Sequence, residues 1–524
     1  MTDVAEPIQK PAPPERGRQR ARAAISGMVA VAAALGISQL LVGLSTRVPS
    51  LVVSVGGLVV DYTPLTIVRA SVEVFGTNDK PALLIGIVVT ALLIGAVLGV
   101  LAASHRWIGA AGFIAFGILG AWAGSRDPLV TDTAAIIAAI VAAGTGIAVL
   151  YLLLGASAAT TAATDEAYGA DRRRFIVGAA AIGFFAVASA VLGRIFGARG
   201  IVEAARSGID LSTGAAATET TGLSTAQYPG LSPLYTPNEV FYKIDTALMT
   251  PQVDPAGWSL SFTGMVDNPF ELTFDELLAL PMVEETITLC CVSNKVGGRL
   301  VGNARWLGVP LQTLLDEAGV QPGATQVVGR SVDGFTVGFP TAALEGGRPA
   351  LVAVGMNGEP LPADHGFPAR LVVSGLYGYV SATKWLTEVE MTTLEAFDAY
   401  WIPRGWAKEA PVKTQSRIDT PRGNSPLSPG IVPIAGVAWA QSKDIARVEV
   451  QVDDLPWVET ELSERISEHA WRQWVYPWQA EAGNHRVRVR ATDGTGATQP
   501  EEEQPPRPDG ATGYHTITVE VAAA

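Results

Sequence analysis

Five apolar runs before residue 200 limit what this chain can be: Ala24 to Leu44, Pro81 to Leu101, Ile108 to Gly124, Ala134 to Leu154 and Phe175 to Phe196. Most approach the roughly 20 residues that carry a helix across a bilayer, and a helix satisfies its own backbone in lipid. A sixth run, Leu51 to Val60, is about half that length. It is followed by Asp61 and Pro64 and reads as a re-entrant or interfacial piece. A mean hydropathy of +0.28 with only 17% charged residues fits such a chain better than an ordinary soluble one.

The basic residues orient the spans. Arg16, Arg18, Arg20 and Arg22 precede the first, His105 and Arg106 sit in a short connection, and Arg172, Arg173 and Arg174 open the last. Lysine and arginine collect on the cytoplasmic side, so residues 1–23 form a cytoplasmic basic tail and 24–197 a five-helix transmembrane domain. An odd number of spans puts everything after about Gly197 on the outer face of the cell membrane. Arg172-Arg173-Arg174-Phe175-Ile176 also resembles a twin-arginine export signal, with a plain topogenic flank as the alternative. Ala188-Ser189-Ala190 is similar to a signal-peptidase site, but apolar character continues to Phe196, which favours a retained anchor.

The spans exclude several functions. A bis-histidine haem needs two histidines at bilayer depth, and only His105, at a helix end, is available, so no haem is expected. Paired buried charges that would mark an ion pathway are absent from the runs. The net charge of −13 offers no attraction to phosphate backbones, so nucleic acid is not an expected partner.

Residues 198–234, rich in Gly, Ala, Ser and Thr, read as a flexible linker. From 235 to 421, short apolar runs alternate with helical patterns at Phe274 to Leu280 and Leu311 to Ala318, the signature of a mixed α+β domain. Pro421 to Gly430 is a break rich in proline and glycine. From 430 to 524, strand-like runs at Val432 to Trp439, Ala446 to Val452, His485 to Ala491 and Thr516 to Val521 predict an immunoglobulin-like β-sandwich. Its Trp471-Arg472-Gln473-Trp474 run with Trp478 is either association surface or sandwich core. The fold class is thus multi-domain.

Only two cysteines occur, the adjacent Cys290 and Cys291. They read as two small buried hydrophobes, as a disulfide that neighbours form poorly, as part of a zinc site that lacks its other ligands, or as a thiolate completing the shell of a metal already held by a sulfur-rich cofactor.

Ordered blocks around them carry a resemblance. They are Cys291-Val292-Ser293-Asn294, Asn303-Ala304-Arg305-Trp306, Met356-Asn357-Gly358-Glu359-Pro360-Leu361-Pro362 running into Asp364-His365-Gly366-Phe367-Pro368-Ala369-Arg370, then Lys384-Trp385-Leu386 and Gln415-Ser416 with Ile418 and Pro421. From about Tyr235 onward the chain resembles the sulfite-oxidase family of molybdopterin enzymes. The resemblance implies molybdenum held by one pterin dithiolene and by Cys291. It also implies pterin contacts from Tyr242, Lys243, Asp333, His365, Arg370, Ala382, Thr383 and Lys384. Arg370 offers a fork and Lys384 a point charge suited to phosphate.

Asp245, Thr246 and Trp406 are expected to shape the substrate pocket beside Cys291. Where the family carries an arginine for its anionic substrate this chain has Ile244, and Trp406 stands where it has a tyrosine near the metal. The implied activity is two-electron oxo transfer on a small-molecule substrate, with a separate electron-transfer partner and a possible homodimer through the C-terminal domain. The rival readings are a reductase of S-oxides or N-oxides on the same cofactor, and a cofactor-free scaffold on the same fold.

Overall fold

The computed structural model describes residues 13–45, 48–127, 130–158, 165–195, 198–211, 222–423 and 427–523. The chain divides into two compact units, 1–202 with 247–252, and 203–246 with 253–524.

The first unit is helical. Pro13–Leu44, Asp79–Ser104, Arg106–Gly124, Asp132–Ala158 and Asp165–Ile195 each contain a stretch long and apolar enough to cross a membrane. Small residues set their packing: a side chain on Gly27 would run into the Gly95 carbonyl, and one on Gly99 into the Ala23 carbonyl. Gly95 and Gly99 are one turn apart, the spacing that lets two helix backbones approach in lipid, where apolar burial alone gives no drive. Large apolar side chains point outward, among them Phe184 at 76% exposure and Ile118 at 66%. Leu51–Tyr62 is a helix of 12 residues, shorter than a span.

The helical boundaries depart from the sequence reading at both ends. The first helix starts at Pro13, so Arg18, Arg20 and Arg22 extend it as helical residues, while 1–12 lie outside the described residues. A further helix, Leu65–Phe75, was not expected. Arg172, Arg173 and Arg174 fall inside Asp165–Ile195; the side chain of Arg172 is outside the described set.

In its described parts, 198–211 and 222–234, the expected linker makes defined contacts, which departs from a flexible tether there. Ala198–Ser207 is a helix, and Arg206 Nε donates to the carbonyls of Pro360 and Leu361, both at 3.1 Å. Leu231 and Leu234 are buried, and Leu223 N donates to Gln473 Oε1 at 2.7 Å. Glycine and serine content misled because it reports backbone freedom in the unfolded chain and says nothing of what a few leucines can pack against. Residues 212–221 lie outside the described residues.

Two sheets build the α+β part. One runs Phe270–Thr273, Ser259–Gly264, Leu386–Thr392, Gln326–Ser331, Thr336–Pro340, with a parallel pair between Ser259–Gly264 and Leu386–Thr392. The other joins Val283–Cys290, Val301–Pro310, Ala350–Met356 and Glu359–Pro360, with Arg370–Val373 also paired to Ala350–Met356. Ala350–Met356 is buried at every position, which explains its unbroken apolar sequence. Helix Phe274–Ala279 starts at a capping box in which Thr273 and Glu276 satisfy each other's backbone. Helix Leu311–Ala318 buries Leu311, Leu314, Leu315 and Ala318, one face at helical spacing, and stops at Gly319 with φ +67°.

Two four-stranded antiparallel sheets follow. Gln415–Thr420, Gly430–Trp439, Arg472–Ala480 and Glu461–Leu462 form one; Val458–Glu459, Ile445–Val452, Gly483–Asp493 and His515–Val521 form the other. Their shared core includes Ile434, Val448, Val450, Trp474, Trp478, Val487, Val489 and Val519. The boundary expected at 421 therefore falls too late, because Gln415–Thr420 already pairs with Gly430–Trp439. The association reading of the tryptophans is also corrected: Trp471, Trp474 and Trp478 are 2%, 0% and 6% exposed. Trp471 Nε1 donates to the Leu234 carbonyl at 2.8 Å.

Candidate active site

Cys291 is placed by a hairpin. Strand Val283–Cys290 ends one residue before it, and the loop back to Val301–Pro310 is closed when Cys291 N donates to Leu300 O at 2.9 Å and Leu300 N to Asn294 Oδ1 at 2.8 Å. Successive residues of an extended chain face opposite sides. Cys291 thus lines a cavity of about 120 Å³, while Cys290, 2% exposed, is packed away from it. Burial pushes both thiols up.

Tyr242, Asp245, Thr246, Asp333, Arg370, Ala382, Lys384 and Trp406 line the same cavity; Lys243, His365 and Thr383 lie outside its lining. Lys243 instead pairs with Asp364 at 2.5 Å near the surface. Asp333 also shapes the turn between two strands, accepting from Phe335 N at 3.1 Å. The Thr383 hydroxyl faces Gly329, where an added Cβ would lie 2.6 Å away.

The cations are deep. Arg370, 4% exposed, stacks 4.9 Å from the Trp306 ring centroid and donates from Nη1 to the His365 carbonyl at 3.0 Å. Burial lowers it to about 10, with Tyr242 and Asp245 acting the other way. Burial likewise lowers Lys384 to about 8, against the pull of Asp245, whose carboxylate lies 2.7 Å from Nζ. Tyr242 is raised well above its ordinary value by burial and then by Cys291 and Cys290, so its hydroxyl keeps its proton.

His365 has one defined tautomer. Its Nε2 lies 2.7 Å from the Asn238 carbonyl, which can only accept, so Nε2 carries the proton and Nδ1 is an acceptor. Burial, then Lys384, lowers its pKa to about 3. It is a neutral acceptor and cannot act as a cation toward phosphate.

Three buried polar atoms here have no hydrogen-bond partner: His365 Nδ1, Arg370 Nε and Thr383 Oγ1. A buried guanidinium with an unused donor suits an anionic ligand, and a bare imidazole nitrogen suits an N–H donor. A phosphate-bearing pterin offers both, and Cys291 adds a soft ligand on the cavity wall. The residue set fits a molybdopterin.

A family model described as the oxidoreductase molybdopterin-binding domain matches residues 247–401. Residues 247–401 form a molybdopterin-binding oxidoreductase domain. Mitochondrial sulfite oxidase of Drosophila melanogaster is 29% identical to this chain over 322 residues, 51% of this chain and 56% of that protein. The Mus musculus protein is 30% identical over 319 residues, 52% of this chain and 58% of its own length. The chain thus spans little more than half the length of these relatives. Among solved structures, the sulfane dehydrogenase SoxCD from Paracoccus pantotrophus matches at 23% identity with a TM-score of 0.49, covering 56% of this chain and 85% of that one.

The molybdopterin domain shares its cavity with residues beyond the matched span. Phe241, Tyr242, Ile244, Asp245, Thr246 and Trp406 lie outside it, and Trp401 is its last residue. Sequence reasoning missed Phe241, Phe335, Tyr379 and Trp401 in the wall, and Asn238 behind His365. No local motif marks them. Trp306, quoted in a block without a role, is the platform under Arg370.

Proposed function

We propose that this chain is a membrane-anchored molybdenum-cofactor oxidoreductase that carries out two-electron oxo transfer on a small substrate at the outer face of the cell membrane. The observation that carries this reading is the convergence of Cys291, Arg370 and Lys384 on one cavity, with Arg370 Nε unused. Bound there, a mono-pterin molybdenum supplies the two-electron redox chemistry. Arg370 and Lys384 would hold its phosphate, Cys291 would supply the protein thiolate, and His365, behind the lining, keeps Nδ1 as an unused acceptor. Asp245, Thr246 and Trp406 bound the space left for substrate, and electrons pass to a separate partner. Five apolar helices support the anchor, and the immunoglobulin-like reading of the C-terminal sheets and a homodimer through them belong to the same proposal.

Purified protein should contain about one molybdenum per chain. Cys291→Ser should abolish turnover of sulfite with ferricyanide as acceptor, and Cys290→Ser should largely retain it. Equal tolerance of both changes, with activity kept, sinks the assignment.

A second reading, reduction of S-oxides or N-oxides on the same cofactor, is favoured by Ile244. It stands 52% exposed in the cavity wall, where the cation Arg370 is buried and Lys384, 11% exposed, is paired with Asp245. An inorganic oxyanion finds no further cation among the described lining residues. Turnover of dimethyl sulfoxide with reduced viologen, and none of sulfite, selects this second reading.

A further inference from the structure

We propose that Arg507, in the C-terminal β part of the chain, is a positioning residue that holds the aromatic wall of the substrate cavity. The inference rests on the proposed function for its kinetic consequence, and on geometry alone for the latch.

Trp401 and Trp406 both line the cavity and belong to one turn. Inside the turn, Arg404 N donates to Trp401 O at 3.1 Å and Gly405 N to Ile402 O at 2.9 Å. From outside, the Tyr379 hydroxyl donates to Ala407 O at 2.5 Å, and a second hold comes from a segment about a hundred residues away in sequence. Arg507 Nε donates to Gly405 O at 3.2 Å, and its Nη2 to Arg404 O. Ala407 N donates in turn to Pro508 O at 3.1 Å. The guanidinium carbon also lies 6.0 Å from the Trp406 ring centroid.

The fit requires glycine at 405. Its φ is +85°, and an added side chain would run into the Arg507 guanidinium. The Arg507 segment is itself anchored, since Lys413 Nζ reaches Asp509 Oδ1 at 3.0 Å and the Gly510 carbonyl at 2.8 Å. One planar fork binding two consecutive carbonyls holds a turn in one shape, which an ammonium reproduces only in part. The Trp406 ring, 5.8 Å from Tyr379 across the cavity wall, is kept in place by this contact.

The test uses the full-length protein in detergent. Arg507→Ala should raise acrylamide quenching of tryptophan fluorescence, and the increment should vanish in a Trp401→Phe/Trp406→Phe background. With sulfite and ferricyanide, its KM should rise roughly tenfold with kcat and molybdenum content near their original values, the pattern of lost binding without lost chemistry. Arg507→Lys should fall between the two. Arg486→Ala, which removes an exposed ion pair with Asp454 in the same part of the chain, serves as the control and should change nothing. Unchanged quenching in both Arg507 variants overturns the latch, as does a quenching increment that survives without the two tryptophans. If sulfite is not turned over, the proposed reaction fails while the quenching arm still decides the latch.

Discussion

Lys384 Nζ lies 2.7 Å from Asp245 Oδ1 and 2.7 Å from the Asp364 carbonyl oxygen, so one buried ammonium ties the segment before Thr246 to the cavity wall. Burial has lowered Lys384 to about 8, and Asp245, with a smaller pull from Asp364, keeps it from falling further. The charge is present below that value and lost as pH rises through it. Capture of molybdopterin by cofactor-free protein should therefore weaken as pH rises through about 8. In Asp245→Asn the loss should begin at lower pH. Superimposable pH profiles of molybdenum incorporation for the two proteins would remove Asp245 from this role.

Arg370 is the stronger grip. Arg370→Ala removes a charge-assisted donor worth about 1.5–3 kcal/mol, so cofactor retention should fall roughly 10- to 100-fold. Arg370→Lys should recover part of that, since it keeps the charge and loses the fork. Molybdenum per chain after gel filtration reads the result, and full retention in Arg370→Ala would disprove it.

His515 couples stability to acid. Its Nδ1 accepts from Ile418 N at 2.9 Å, and burial, followed by Arg417, lowers its pKa from 6.5 to about 4. Between those values the unfolded chain binds a proton that the fold refuses, so stability falls as pH drops through this window and levels off below it. In His515→Gln the decline in Tm from pH 6.5 to 4 should be shallower than in the parent. An identical slope would locate the acid sensitivity elsewhere.

Trp474 is wholly buried in the core of the C-terminal sheets. Trp474→Ala should cost about 3–5 kcal/mol of that part's stability, as large-to-small core changes do. Light scattering should show no change of oligomeric state in protein that still folds, and dissociation without loss of Tm would restore the association reading.

Export offers a further check on the proposed topology. If Arg172 and Arg173 form a twin-arginine signal, replacing both by Lys should leave the molybdopterin domain shielded from protease in intact cells. Unchanged cleavage would assign them a topogenic role only.

The sequence by itself determined the features that depend on local physics. Among the described residues the five apolar runs became five helices long and apolar enough to span a membrane, because a helix satisfies its own backbone within a single run. Leu311–Ala318 was legible from its spacing, and the cysteine, histidine and arginine blocks from their order. Tertiary structure alone decided which side chains meet. Cys291 reaches the cavity and Cys290 does not because a hairpin loop alternates their faces. Trp474 is interior because two sheets close over it. The stretch read as a tether packs because Leu231 and Leu234 find a core far along the chain. The cavity's aromatic wall stayed invisible for the same reason: Phe335, Tyr379 and Trp401 come from separate segments, and Arg507 lies more than a hundred residues beyond the last of them. Local pattern carries no record of contacts made at such separation.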